Sequence, residues 1–385
     1  MTLNSKYVET CLSPKGPRTV LTAVLVLFFG TLAAMAAPIV VDANATPCIA
    51  TTAHYTTIQA AVNAAPSGAT VQVCPGVYPE QVSIGTSLTL KGVTKNNQAG
   101  AVIAIPANGG VQNGGTSTFP IVAQVDITAQ NVTLNNMTID GTGGIPNSNC
   151  SVPILVGVAF EAGSSGHVTH SALLNQAVGN GPGGSNGHCG YAIQVFPAAG
   201  GLVTIDTSSI RGFGGDGVAA DSPVTVKGNF IDQGLTSANL LQQGTGIFTS
   251  EASTITGNTV QHVAFGIAGG INSTGVTTIS GNNISADGFG VDIYFGSGIS
   301  VLKNTISGGL QNPWLTGGNV GVDVSTSGVT VQSNQIAGFY YGVLAGGGNT
   351  VSLNTITDAQ VGVWPAAGNT VSGNHFYDVT TLLMN

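Results

Sequence analysis

A short phrase, apolar–x–x–Asn–x–apolar, returns again and again along the second half of this chain. Its copies set Asn229, Asn258, Asn282, Asn304, Asn334, Asn354 and Asn374 in one slot, as in Ile255-Thr-Gly-Asn258-Thr-Val260 and Val301-Leu-Lys-Asn304-Thr-Ile306. Three weaker upstream copies place Asn135, Ser171 and Ser208 in the same slot. From Asn229 onward the spacings are 29, 24, 22, 30, 20 and 20 residues. A period of 20 to 30 residues built from short alternating strands is the mark of a solenoid, in which each repeat buries its apolar face only against its neighbours.

Composition supports strands over helices. Glycine makes up 57 of 385 residues. Each glycine in a helix interior costs about 1 kcal/mol relative to alanine, whereas the abundant Val, Ile and Thr suit a pleated, half-buried surface. Charged residues are only 6%, but 42% of the chain is hydrophobic, so a packed core is expected and disorder is not.

Residues 1–36 read as an export signal. Lys15 and Arg18 precede an uncharged run from Thr19 to Val41, and Ala34-Met35-Ala36 supplies a small–x–small cleavage pattern. The alternative is an N-terminal membrane anchor, because the run is long enough to span a bilayer. Cleavage leaves a protein that is secreted or held at the cell surface, without stable membrane insertion. The remainder carries five cations (Lys91, Lys95, Arg211, Lys227, Lys303) against fifteen acids. No basic patch exists to release the counterions of a nucleic acid, so that class of partner is excluded. Tight binding of a strongly anionic polymer is disfavoured for the same reason, unless calcium bridges the two. The exported part has four cysteines. Their even number favours two disulfides, Cys48–Cys74 around the first helix and Cys150–Cys189 between two Gly-rich insertions. A metal site of cysteine with His188 is the alternative, but it lacks a C-x-x-C spacing.

Residues 37–54 form a lead-in, and 55–385 the repeat domain. Thr56 to Ala65 gives the one clear helical period, with Thr56 and Gln59 as a capping box and Pro66-Ser67-Gly68 as the stop. Laid across the first coil, such a helix hides the open end of a solenoid. The stretch YTTIQAAVNAAPSGATVQVCPGVYPEQVSI, followed by LTLKGV, resembles the opening coil of right-handed parallel β-helix proteins of the pectin lyase-like superfamily; pectin methylesterases open similarly. The resemblance, extended by the asparagine repeats, covers residues 55–378. It implies an all-β, right-handed parallel β-helix of about eleven coils with an N-terminal capping α-helix. Catalytic phrases of pectin methylesterases (Gly-x-x-Asp-Phe-Ile-Phe-Gly) and of polygalacturonases (Asn-Thr-Asp, Gly-Asp-Asp, Gly-His-Gly) are missing, so no catalytic residue carries over. In such a fold the asparagines sit in αL turns and bond to one another along the stack. Losing one, as in Asn304→Ala, is then expected to cost roughly 1–3 kcal/mol.

Function belongs on the outside, since the interior is filled. A second phrase, Gly–apolar–x, recurs as Gly266-Ile-Ala268, Gly290-Val-Asp292, Gly321-Val-Asp323, Gly342-Val-Leu344 and Gly362-Val-Trp364. Alternation turns the third residue outward. Stacking then puts Asp292 beside Asp323 in a column with Ala268, Leu344 and Trp364, and Tyr294 in a second column with Gly270 and Ser325. Close carboxylates serve acid/base work on a glycosidic bond or hold Ca²⁺. Tyr294, Trp364 and Trp314 on the insertion after Gly309 offer faces for sugar rings. The same stripe can also be a solvated acidic surface. Arg211, near Asp206, Asp216 and Asp221, is a weaker catalytic candidate, more simply read as a turn-stabilising ion pair with Asp216. His167 and His170, three apart on a strand, cannot share a metal. The resulting expectation is an exported protein that binds extracellular polysaccharide along the outer face without acting on it and with no required cofactor, calcium being the one candidate. The alternatives are a polysaccharide hydrolase or lyase, and a structural or adhesive surface protein without a glycan ligand. The last coil shows no cap, so its edge is free to take a partner.

Overall fold

The computed structural model describes residues 39–43, 48–49, 54–94, 100–144, 153–177, 189–234, 244–308 and 318–383. The export segment, Cys150, His188 and Trp314 lie outside the described residues.

Three rows of short strands stack into a parallel β-helix. The first row is a 14-stranded sheet that ends with Thr370–Ser372. Its inward residues line up in register from Val71 through Leu90, Leu134, Val168, Ile205, Val226, Ile255, Ile279, Val301 and Val331 to Val351, all buried. Like residues stack on like residues because every coil presents the same inward position about 4.8 Å from the last. The solvent-side neighbours are mostly threonine, from Thr70 to Thr370, β-branched and polar as a half-exposed strand position favours. This sheet already begins inside the lead-in: Ile39–Val41 pairs with Ala69–Val73, and Val40 and Val41 are fully buried.

The second and third rows form one bent sheet. Strands such as Ser209–Arg211 start the second row just after the repeat slot, and strands such as Asp216–Ala220 make the third. In later coils one strand runs through both, as in Thr259–Gly270 and Asn283–Phe295. Among the described residues a single pairing is antiparallel, Gly114–Gly115 against Pro120–Ile127.

The asparagines between the first and second rows form a continuous hydrogen-bonded stack. Each Oδ1 accepts the backbone N–H and the Nδ2 of the asparagine one coil back, from Asn229 on Asn258 (2.9 and 3.0 Å) to Asn354 on Asn374 (both 3.0 Å). Each Nδ2 also donates to a first-row backbone carbonyl one coil back, as Asn304 does to Ile279 at 3.0 Å. Two details differ from the sequence reading. The left-handed residue is the one before each asparagine (Gly228, Gly257, Gly281, Lys303, Ser333, Leu353, Gly373). The preceding residue makes the turn, which leaves the asparagine side chain aimed along the stack. Asn135 also does not belong to the slot: it pairs with Thr169 inside the first row. Its left-handed neighbour is Asn136, so the buried Met137 takes the slot, its N–H donating to Ser171 Oγ at 3.3 Å. Ser171 and Ser208 continue the chain to Asn229 Oδ1.

The helix, Ile58–Ala64, packs Ile58, Ala61 and Val62 into the core. Its N-cap is Thr57, not Thr56, and no capping box forms. Instead Glu80, from the turn after Gly76–Pro79, accepts the N–H groups of Ile58 (2.8 Å) and Gln59 (2.9 Å). Gln59 is free to bind Ser83 N–H through its Oε1 at 2.7 Å. A carboxylate at a helix N-terminus satisfies two otherwise unpaired donors and faces the positive end of the helix dipole. The Cys48–Cys74 disulfide brackets this helix. Asp42 Oδ2 accepts the Cys48 N–H at 2.8 Å, and the bond between the two sulfurs leaves no metal cluster there. Cys189 is also disulfide-bonded.

The glycine of the Gly–apolar–x phrase marks the bend between the second and third rows. A Cβ on Gly290 would lie 2.2 Å from Ile306 Cγ2 and 2.5 Å from the Gly321 carbonyl oxygen; Gly266, Gly321 and Gly342 meet the equivalent isoleucine of the next coil. The bend turns this position inward, where the isoleucine already fills the space. Gly290→Ala is therefore expected to lower the unfolding free energy by about 3 kcal/mol through overpacking, read as a drop in the urea midpoint at unchanged slope.

Candidate functional site

One outward position per coil of the third row makes a continuous column. Strand registers carry it from Asp126 through Ala159, Gln194, Ala219, Phe248, Ala268, Asp292, Asp323 and Leu344 to Trp364. It holds three carboxylates and no cation. Asp292 and Asp323 are direct partners on adjacent strands, about 4.8 Å apart along the stack. The Asp292 carboxyl is raised to about 7 by burial first and by the Asp323 charge second, with the Tyr294 hydroxyl hydrogen-bonded to it as the opposing effect. Burial raises Asp323 as well, while a backbone N–H at Val324 opposes the rise. Asp292 keeps only 5% of its surface exposed. Such a pair cannot carry two full charges without cost. Burial and the neighbouring charge thus favour a proton on Asp292 up to about neutral pH.

Tyr294 stands at a break in register. Gly269 pairs with Ile293 but Gly270 pairs with Phe295, so Tyr294 is the extra residue of a bulge. The sequence expectation of Gly270 opposite Tyr294 is corrected accordingly. The bulge leaves Tyr294 42% exposed at the acid pair. Its phenol is raised by burial first and then by Asp292, Asp216 and Asp323, so three carboxylates act on one hydroxyl. Bulges commonly re-aim a side chain beside a working site.

Aromatic rings line the same row on either side of the pair. Phe265 and Phe289, in register, stack with centroids 5.3 Å apart and planes 3° from parallel. Toward the C-terminus Tyr341 lies 5.5 Å from Trp364 and 4.7 Å from the exposed Tyr340. Asp216, in the Phe265 column, is raised to about 7 by burial, against hydrogen bonds to Thr245, with Asp221 adding to the rise. Asp221 itself accepts hydrogen bonds from Gln194 (3.2 Å) and Ser250 (3.0 Å).

Arg211 is placed elsewhere. It sits in the second row, in register with Asp232, and does not pair with Asp216. Its Nε donates to Ser209 Oγ at 3.0 Å and its guanidinium covers the Phe230 ring at 4.4 Å. The ion pairs among the described residues are both His–Asp. One of them, His167 Nε2 with Asp206 at 2.9 Å, lies in the first row, where Thr169 also bonds the carboxylate. Burial tends to raise the Asp206 carboxyl, but the Thr169 and His167 hydrogen bonds outweigh it and lower it overall.

Sequence reasoning missed Asp126 and named Asp216 only as a neighbour and ion-pair partner of Arg211, not as part of the third row. Asp126 carries a legible signal: Val125-Asp126-Ile127 is the same phrase as Val291-Asp292-Ile293 and Val322-Asp323-Val324. It escapes a search keyed on the preceding glycine because Gln124 stands there. Asp216 gives no comparable signal, since its column is reached only through the bend.

Residues 233–380 match the family model described as a right handed beta helix region. No curated protein matches the sequence. Among solved structures the chain is similar to the A-module of a mannuronan C-5 epimerase from Azotobacter vinelandii, at 15% identity and TM-score 0.58, covering 85% of this chain and 92% of that one. It is also similar to a double mutant of a periplasmic alginate epimerase, at 12% identity and TM-score 0.51, covering 86% and 84%. A third likeness is to a mutant tailspike protein of an E. coli bacteriophage in complex with a hexasaccharide, at 14% identity and TM-score 0.51, covering 85% and 62%. At these identities the likeness is one of fold.

Proposed function

We propose that this right-handed parallel β-helix protein holds an extended polysaccharide along its third row, with the chain of sugars crossing the Asp292–Asp323 pair between two aromatic platforms. The observation that carries this reading is the register itself: acids and rings fall in adjacent columns of one row, spaced regularly enough to meet a repeating polymer. Rings present apolar faces to the C–H faces of sugars, and carboxylates accept their hydroxyl hydrogens. Three carboxylates without a cation favour a neutral polymer over a polyanion. Solved structures of like fold include epimerases named for mannuronan and alginate and a tailspike with bound hexasaccharide, which supports a glycan as the class of ligand. Export through residues 1–36 belongs to the same reading; among the described residues no helix is long and apolar enough to cross a membrane.

A second reading, hydrolysis of the bound glycan, is favoured by the raised Asp292 carboxyl. A protonated Asp292 can deliver its proton to a leaving glycosidic oxygen while the ionised Asp323 attacks the anomeric carbon or activates water. Arg211, on another row, takes no part.

The test is binding and product analysis with a panel of neutral and acidic polysaccharides. Trp364→Ala is expected to weaken binding of the retained polymer at least tenfold, about 1.4 kcal/mol. Unchanged affinity would move the binding face elsewhere. Asp292→Asn is expected to abolish any release of products one water heavier while leaving binding within a few-fold; full activity in that variant would remove the pair from catalysis.

A further inference from the structure

A second acidic site lies on the same row, toward the N-terminus, beneath the antiparallel hairpin. Asp126 is 4% exposed, and its Oδ1 has no hydrogen-bond partner. Glu161, just past the neighbouring strand Ile154–Phe160, turns its Oε1 toward the same point. A Cβ on Gly114 would lie 2.6 Å from Glu161 Oε1 and 3.2 Å from Asp126 Oδ1, so the hairpin backbone rests directly on the two carboxylates. The Gly115 N–H donates to Glu161 Oε1 at 2.6 Å. Apolar groups close the surroundings: Ile121, Ala123, Val156, Ala159 and Phe196 are buried together, with Phe119 and Tyr191 packed on them.

Two converging carboxylates in an apolar setting require a counter-charge. No side chain supplies it, for the described lysines and Arg211 belong to the first and second rows and their turns. The Glu161 charge acts on Asp126 in this setting, and Asp126 Oδ1 has no hydrogen-bond partner. The donor set is all oxygen, one buried carboxylate and one half-buried carboxylate open to water, which suits a hard divalent ion of flexible coordination.

We propose that Asp126 and Glu161 hold a calcium ion beneath the Gly114–Gly115 hairpin and so fasten that hairpin to the third row. The remaining ligands are waters on the Glu161 side. This site is separate from the Asp292–Asp323 pair, and fastening the hairpin defines the N-terminal end of the proposed glycan face.

The experiment uses the full-length protein, stripped with EDTA and dialysed, then titrated with CaCl₂ by calorimetry and melted with and without 5 mM CaCl₂. One saturable site and a rise in melting temperature of about 3 °C or more are expected. Hydrogen exchange at Gly114 and Gly115 should slow at least tenfold on adding calcium. Asp126→Asn and, independently, Glu161→Gln should abolish both responses; Glu161→Gln, at a half-exposed residue, keeps the test available if the buried variant does not fold. The double variant Asp292→Asn/Asp323→Asn should retain them. The proposal is overturned if the wild-type protein shows no calcium response, or if the response survives Asp126→Asn. It is also overturned if the response disappears with the Asp292/Asp323 variant instead. A melting temperature that shifts with pH near 7 but ignores calcium would mean that the pair merely holds a proton.

Discussion

Asn304→Ala is expected to lower the unfolding free energy by about 4 kcal/mol, above the 1–3 kcal/mol that a generic ladder residue suggests. The structure gives the reason. Asn304 Oδ1 accepts both the N–H and the Nδ2 of Asn282, each at 2.9 Å, and its Nδ2 donates to Ile279 O and Asn334 Oδ1, each at 3.0 Å. All of these groups sit where Asn304 is 1% exposed. Alanine removes four hydrogen bonds and strands the buried Asn282 N–H, while Asn282 Nδ2 keeps Ile255 O and Asn334 Oδ1 keeps the residue-304 N–H. At about 1 kcal/mol for each bond, with no water to replace the asparagine, the loss is large. Urea unfolding reads it directly. Asn374→Ala is the internal control: it closes the stack, accepting two bonds from Asn354 and donating one to Val351 O, and it is half-buried, so its cost should be smaller. Equal effects at the two positions would contradict a cooperative stack.

Stability should also fall as pH rises from about 4 to about 7. Asp126, Asp216 and Asp292 are each raised to about 7 from 3.8, mainly by burial. The folded chain therefore holds protons that the unfolded chain has released across that window. Stability is fully present below the unfolded value and is lost as pH rises through the folded one. A three-unit shift corresponds to about 4 kcal/mol per group at most. Urea melts in EDTA at pH 4.5 and pH 8 measure the fall. Asp292→Asn cannot ionise, so it should be more stable than the wild type at pH 8, by about 2 kcal/mol or more, and close to it at pH 4.5. A stability that rises over this window in EDTA would contradict protons held at these three carboxyls in the folded chain. Asp206, whose carboxyl is lowered, acts in the opposite sense and only at lower pH, where its bonds with Thr169 and His167 are lost as the carboxylate protonates.

The local periodicity of the sequence determined a good deal. A repeat of 20 to 30 residues with alternating Val and Ile leaves one economical way to bury its apolar face, coil upon coil, and counting along the Gly–apolar–x phrase placed Asp292 beside Asp323. Stacking in register is a translation, so sequence spacing converts into spatial neighbours wherever the repeat is regular.

Where the repeat is irregular, only the tertiary structure decided. The bulge at Tyr294 shifts one column by a residue, which no period reveals. Asn135 resembles the ladder residues, yet the left-handed residue at Asn136 passes the slot to Met137. Glu80 caps the helix from 21 and 22 residues away, where a local capping box with Gln59 read more naturally. Arg211 stands a short stretch of chain from Asp216, but a bend lies between them and puts them on different rows. The inward turn of Gly290 against Ile306 and the convergence of Asp126 and Glu161 under Gly114 are contacts between coils. Sequence periodicity fixes which residues face in and which face out; how chains bend, and which outward groups then meet, depends on packing between segments far apart in sequence.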